Sequence, residues 1–218
     1  MKEEMLSRSF FSRPTLNVAQ ELLGKILVVG EQKLLITETE AYCGDDPASH
    51  GARGKTLRNA PMFGKPGLLY VYLTYGIHHC VNIVTDREGF PAAVLLRGGL
   101  FLKPEKKYID GPGRLCKQLQ LNREHNLIDV CEADNFFILN TEYNFSYQET
   151  PRIGIKKATE KRWRFFVPKS EWQFLTERNG SDINKNPFLF FLPFFFGGVL
   201  NIFWLRTTRQ YSFSAVFW

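Results

Sequence analysis

Ile36-Thr37-Glu38-Thr39-Glu40-Ala41-Tyr42 and Leu68-Leu69-Tyr70-Val71-Tyr72-Leu73-Thr74-Tyr75-Gly76-Ile77-His78-His79-Cys80-Val81-Asn82 are the two pieces of sequence on which the fold turns. The second is aromatic and β-branched up to Thr74, reverses over Tyr75-Gly76-Ile77-His78 and returns through Thr85. It therefore reads as an antiparallel hairpin. A tyrosine stands at its tip, where burial in the protein's own core is hard. In the first piece, Lys33 to Glu40 reads as a strand folded back on Lys25 to Val29 across Gly30-Glu31-Gln32. If it stays extended, Leu34, Ile36, Glu38 and Glu40 share one face. A carboxylate at a strand end, four tyrosines and His50 in the intervening loop point to a site that stacks something flat beside an acid.

Working outward, Ser12-Arg13-Pro14-Thr15 offers a helix start, Leu16, Ala19, Leu22 and Leu23 recur at helical spacing, and Gly24 is the stop. Asp45 to Pro61 is rich in Gly, Pro, Asp and Asn and predicts a long surface loop. Ala92 to Arg97 reads as a strand ending at Gly98-Gly99. Gly111-Pro112-Gly113 opens a helix from Arg114 to Leu121. Phe136 to Leu139, Arg152 to Ile155 and Arg162 to Val167 are further strand-like runs. The sum is a mixed α/β (α+β) fold, one domain over residues 1–175, with a curved antiparallel sheet.

A chain of 218 residues, 44% hydrophobic and 23% charged, is long enough for one proper core. The net charge of +6 favours an anionic partner, nucleic acid first and a membrane surface second. Four cysteines make no C-x-x-C pair and no zinc-like spacing with the four histidines, so reduced thiols are expected. The first residues are charged, and no apolar run of the kind a signal peptide needs follows them. Composition shifts near Thr176: nine of the 20 phenylalanines lie beyond it, and Asn186 to Leu205 carries no charge. Residues 176–218 thus read as a hydrophobic C-terminal extension. Pro187, Pro193 and Gly197-Gly198 argue against an evolved membrane anchor there.

Gly51-Ala52-Arg53-Gly54-Lys55-Thr56 is not a phosphate-binding P-loop, because Ser49 stands where the first glycine is required. Glu40 could be a desolvated general base or a surface glutamate at a strand end, and Glu38 is an equal candidate on spacing. Tyr42, Tyr72 and His50 could form a slot for a planar, cationic ring, or be core tyrosines and a loop histidine. Tyr75 could be a wedge between base pairs or an exposed turn residue. There is no Ser/His/Asp or Cys/His order, no paired-carboxylate glycosidase pattern, and no lysine set in an apolar run as a nucleophile.

At Glu38-Thr39-Glu40-Ala41-Tyr42, Arg58-Asn59, Met62-Phe63-Gly64-Lys65-Pro66-Gly67, Leu69-Tyr70-Val71-Tyr72 with Tyr75-Gly76, Asn82-Ile83 and Val94-Leu95-Leu96-Arg97, the sequence resembles the alkyladenine (3-methyladenine) DNA glycosylase family. The likeness continues through Gly111-Pro112-Gly113-Arg114-Leu115-Cys116, Arg152-Ile153-Gly154-Ile155 and Trp163-Arg164-Phe165. It covers about residues 8 to 172. The resemblance implies Glu40, not Glu38, as the catalytic carboxylate, with Arg97 beside it and its water. It implies Tyr42, His50 and Tyr72 around a flipped base, Tyr75 as the intercalating residue of a DNA-inserting hairpin, and Asn82 as the group that disfavours the 2-amino group of guanine.

The expected function is therefore hydrolysis of the N-glycosidic bond of alkylated or deaminated purines in duplex DNA, leaving an abasic site without strand cleavage. No metal or organic cofactor is implied. The partner is double-stranded DNA carrying damaged purines. The chain should act as a monomer, in the cytoplasm of a bacterium or the nucleus of a eukaryote. The rivals are a non-catalytic protein that binds distorted DNA, and a protein attached to a membrane through its tail. The tail has no counterpart in the family pattern.

Overall fold

A strand buried on both faces has no solvent side, and the strand carrying the two glutamates is of that kind: every residue from Leu34 to Ala41 is buried. The computed structural model of the chain describes residues 4–177. Their helices and strands run α1 (Arg8–Phe11), α2 (Thr15–Glu21), β1 (Ile26–Val29), β2 (Gln32–Tyr42), β3 (Leu69–Thr74), β4 (His78–Val84), β5 (Ala93–Lys103) and β6 (Lys107–Ile109). Then come α3 (Pro112–Gln118), β7 (Phe136–Leu139), β8 (Gln148–Thr150), β9 (Arg164–Phe166), α4 (Lys169–Trp172) and α5 (Phe174–Glu177).

The strands pair antiparallel in one sheet whose main path is β3-β4-β5-β2-β1-β7. β2 lies against β5 along its length, while its other edge is divided between β1, at 32–35, and β9, at 38–40. β5 divides its second edge in the same way between β4 and β6. Long strands that serve two neighbours on one edge carry the twist of the sheet into a curl. The expected α+β class with a curved antiparallel sheet is what forms. α2 covers the sheet, and its Val18 and Ala19, with Leu22 just after it, join Leu27, Leu34 and Ile36 in the core. Gly24 follows α2 at φ +84, a conformation only glycine adopts cheaply, and turns the chain into β1.

Four readings are corrected. The strand expected to stop at Gly98-Gly99 runs on to Lys103. A Cβ on Gly98 would sit 3.0 Å from Glu38 Oε2, and one on Gly99 2.6 Å from the Leu35 carbonyl, so these glycines mark close approach to β2 and not an end. Arg152 to Ile155 is not a strand but part of the loop that follows β8. The 45–61 loop is pinned to the body: Asp46 is fully buried, and Gly51 lies so close to Pro91 that a Cβ would meet it at 2.4 Å. The helix expected from Arg114 to Leu121 begins at Pro112 and ends at Gln118. The four cysteines form no disulfide. The hydrophobic extension lies, from residue 178 onward, outside the described residues, and among those described no helix is long and apolar enough to cross a membrane.

Candidate active site

Period-two alternation builds the pocket. β3 sends Leu69 and Val71 into the core and turns Tyr70, Tyr72 and Thr74 the other way. β4 buries Val81 and Ile83 in the core and presents Cys80 and Asn82; β5 buries Val94 and Leu96 and presents Leu95 and Arg97. These outward residues floor a pocket of about 590 Å³, walled by Tyr42, His50, Tyr75 and the 153–157 loop. That volume is in the range of small-molecule binding pockets.

Glu40 lies directly behind this wall with no accessible surface. Three groups that do line the pocket converge on it. The Tyr42 hydroxyl donates to Oε2 at 2.8 Å, the Ile153 N–H donates to Oε1 at 2.8 Å, and Arg97 Nε stands 3.4 Å from Oε1. Burial pushes the Glu40 carboxyl above the usual carboxylate range, against the pull of Arg97, the Ile153 N–H and the Tyr42 hydroxyl. Burial, and then the Glu40 charge, also raise the Tyr42 phenol, so it stays a donor.

Glu38 sits on the same side of β2 and is the stronger partner of Arg97, at 3.0 Å from Nε; Arg164 Nε reaches the same oxygen at 2.6 Å. Two carboxylates and two guanidinium groups thus form one buried, charge-balanced cluster. A pair of bulges makes it possible. Between β2 and β5 the register passes from Ile36↔Gly99 to Glu38↔Gly98 and then to Thr39↔Leu96, so Thr37 and Arg97 each lack an opposite residue. A bulge re-aims the side chain it carries, here Arg97 toward both glutamates.

The aromatic residues adjoin one another on one side of the pocket. The His50 ring packs edge-on to Tyr72 at 4.5 Å between centroids, and its Nδ1 shares a 2.9 Å hydrogen bond with the Tyr70 hydroxyl. Burial and the nearby Arg58 hold His50 below its ordinary value, which keeps the imidazole neutral at pH 7. Burial raises the Tyr72 phenol and pushes Tyr70 up to about 12. Asn82 is buried, and its Nδ2 donates to the Tyr70 carbonyl at 3.0 Å, which fixes the amide on the pocket floor. Tyr75 is 87% exposed at the hairpin tip, and its φ of +50 beside Gly76 at +73 belongs to a primed turn, closed by Ile77 N–H on the Thr74 carbonyl at 3.2 Å. A bulky side chain in that region is strained, where Asn or Gly would be relaxed.

Sequence reasoning gave no role to Tyr70, Asp46, Arg152 or Arg164, nor to Glu38 once Glu40 was preferred. Arg152 and Arg164 stood inside motifs that carried the resemblance, which is the one signal that could have marked them. Asp46 stood in a segment whose composition reads as an exposed loop. No cluster of His, Cys, Asp and Glu suited to a metal ion occurs among the described residues.

Residues 9–171 match the family model described as Methylpurine-DNA glycosylase (MPG). The chain is 54% identical over 168 residues to a protein of Wolbachia sp. subsp. Brugia malayi, covering 77% of this chain and 99% of the relative. It is 52% identical over 172 residues to one of Ehrlichia chaffeensis, covering 77% and 96%. It is 52% identical over 166 residues to one of Sodalis glossinidius, covering 76% and 98%. All three bear the provisional name 3-methyladenine DNA glycosylase.

Proposed function

The chain belongs to the methylpurine-DNA glycosylase family, and on that premise we propose that the pocket beside Glu40 is where a damaged purine, turned out of duplex DNA, loses its bond to the sugar. The protein is a monofunctional DNA repair glycosylase of the 3-methyladenine type. The observation that carries the site assignment is the convergence of Arg97, the Tyr42 hydroxyl and the Ile153 N–H on one buried carboxylate.

An alkylated purine is cationic and already a good leaving group, so the enzyme's task is to extrude it, hold it and supply a nucleophile. Tyr42, Tyr72 and His50 offer π faces and edges to the flipped ring, and a neutral His50 does not repel its charge. Glu40 takes the proton of the attacking water and opposes the positive charge that develops on the sugar. Arg97 and the Ile153 N–H keep Glu40 ionised in a site where burial alone would protonate it. Because Glu40 has no accessible surface, water reaches it when the Tyr42 hydroxyl turns from Oε2 as the nucleotide binds. Asn82, fixed by Tyr70, crowds the 2-amino group of guanine. Tyr75 fills the vacated stack, a use that accounts for a strained, exposed aromatic residue at a hairpin tip. The product is an abasic site. Deaminated purines such as hypoxanthine fit the same pocket, and the chain works as a monomer in the compartment that holds the cell's DNA.

Duplex DNA carrying one methylated purine or one hypoxanthine tests this reading. The expected result is an abasic site, cleaved only after alkali treatment. Base release no faster than in a protein-free control on both substrates would end it.

A further inference from the structure

The pocket has two walls that come from distant parts of the chain. Ala48 and His50 belong to the loop after β2, and Ile153 to Lys157 belong to the loop between β8 and β9. A buried ion pair joins them: Arg152 Nη1 bonds to Asp46 Oδ2, and neither side chain has accessible surface. The same Nη1 donates to the Ala41 carbonyl at 2.9 Å. The guanidinium lies 4.7 Å from the centroid of the Tyr42 ring and 5.1 Å from that of Trp163. Asp46 shapes its own loop, accepting the Ala48 N–H on Oδ1 at 3.1 Å and the Ser49 N–H on its carbonyl at 2.8 Å. The residue after Arg152 is Ile153, whose N–H holds Glu40 at 2.8 Å.

A buried ion pair adds little stability over an apolar pair of the same volume, so its presence here asks for another reason. Arg152 Nε and Nη2 are buried with no hydrogen-bond partner among the described residues, which leaves the ring faces of Tyr42 and Trp163 as their surroundings. A planar guanidinium can bond at one edge and stack on both faces, and an ammonium group cannot. We propose that Arg152 and Asp46 are positioning residues of this site: together they lock the 46–50 and 152–157 loops, fix the Tyr42 ring and set the Ile153 N–H on Glu40. The proposal rests on the reading of Glu40 as the base. The groups that face Glu40 are Tyr42 and Glu38 on β2, Arg97 on β5, Tyr72 on β3, Cys80 on β4, the Ile153 N–H, and Arg164 on β9, which reaches it through Glu38. Of these, the pair controls the Ile153 N–H and Tyr42.

The test is single-turnover release of a methylated purine across pH by the wild type, by Arg152→Lys and by the double variant Asp46→Asn/Arg152→Met, which removes both charges. Losing one N–H bond to a carboxylate moves its titration up by about one pH unit, so the acid limb of the double variant's profile should shift upward by that amount and its plateau should fall about tenfold. Arg152→Lys, which keeps the charge for Asp46 but not the fork, should shift in the same direction by less, and it carries the test if the double variant fails to fold. A merely structural pair would lower the melting temperature and leave the acid limb in place, and that result would overturn the proposal. The exchange rate of the Ile153 amide proton, read by NMR, tests the positioning without any chemistry. It should be slow in the wild type and fast in Arg152→Lys; equal protection in both would also overturn the proposal. Were the wild type to release no base, the glycosylase reading would fail, and amide exchange would still decide whether the pair positions Ile153.

Discussion

The centre of the sheet and the tip of its outer hairpin treat polar and aromatic groups in opposite ways. At the centre, Glu38, Glu40, Arg97 and Arg164 are withdrawn from water and bonded to one another through two facing bulges. At the tip, Tyr75 and Ile77 stand 87% and 71% exposed, and nothing lies within 4 Å of the space beside Gly76. The centre is where the protein sets electrostatics for itself, with no solvent to screen them. The tip is where it leaves apolar surface and backbone strain uncompensated. In the proposed reaction, chemistry and capture thus fall on different strands of one sheet.

The sharpest way to break the central half of this contrast is Arg97→Met. It leaves two buried carboxylates to share Arg164, and a buried charge that loses its partner costs about 3–5 kcal/mol. The variant should melt well below the wild type, and Glu40, protonated at neutral pH, should release base about 10³-fold more slowly, measured in single turnover. A variant that kept both its melting temperature and its rate would show that the cluster is not the unit described here.

At the tip, Tyr75→Asn separates strain from function. Asparagine tolerates positive φ, so the variant should melt at or above the wild-type temperature. Release from fully paired duplex should fall about tenfold or more, because nothing fills the vacated stack, whereas release of a damaged base opposite a gap should fall less. Equal losses on the two substrates would remove the wedge from the account.

Smaller effects lie between the two regions. Asn82→Ser gives up the hydrogen bond to the Tyr70 carbonyl and opens the pocket floor, so slow release of unmodified guanine should appear while release of alkylated purines stays near wild type. Quantifying free guanine from undamaged duplex checks this, and unchanged discrimination would take that role from Asn82. The smallest effect expected is from truncation after Leu175. Trp172 and Leu175 are buried in the core, and Trp172 stacks on Tyr108 at 4.8 Å. The shortened chain should therefore fold and excise as the full chain does, judged by melting and turnover; an insoluble or inactive product would put the domain boundary elsewhere.

The paired strands were legible because their signals are local: alternation in β3 and β4, and Tyr75-Gly76 at the reversal, need only neighbours in sequence. Alternation left open whether Tyr42 and Tyr72 face a pocket or the core, and only the family resemblance set them around one. What was not legible depends on contacts between distant residues. Gly98-Gly99 looks like a stop because nothing nearby shows that β2 leaves little room for a Cβ at either position. Glu38 and Glu40 could not be told apart by spacing because both face Arg97, and the difference lies in Arg164 taking Glu38 while Ile153 takes Glu40. Asp46 and Arg152 lie 106 residues apart, one in a polar loop and the other in a run that alternates like a strand, and neither segment announces the other.

The central claim is that Glu40 is the base and that its carboxylate form does the work. Glu40→Gln keeps the shape of the side chain and removes the proton acceptor. Burial raises the Glu40 carboxyl in the folded state, so its contribution to stability is fully present below the unfolded-state value and is lost as pH rises through the folded one; at neutral pH the neutral amide should melt at or above the wild type. For activity the sign is opposite, and wild-type release should fall as pH drops through a value above the ordinary carboxylate range. The decisive measurement is single-turnover release of a methylated purine from duplex DNA at neutral pH, with binding of the same duplex followed in parallel. Glu40→Gln should bind as the wild type does and release the base slower by a factor on the order of 10³. Release by Glu40→Gln at a near wild-type rate would contradict the role of Glu40 as the base.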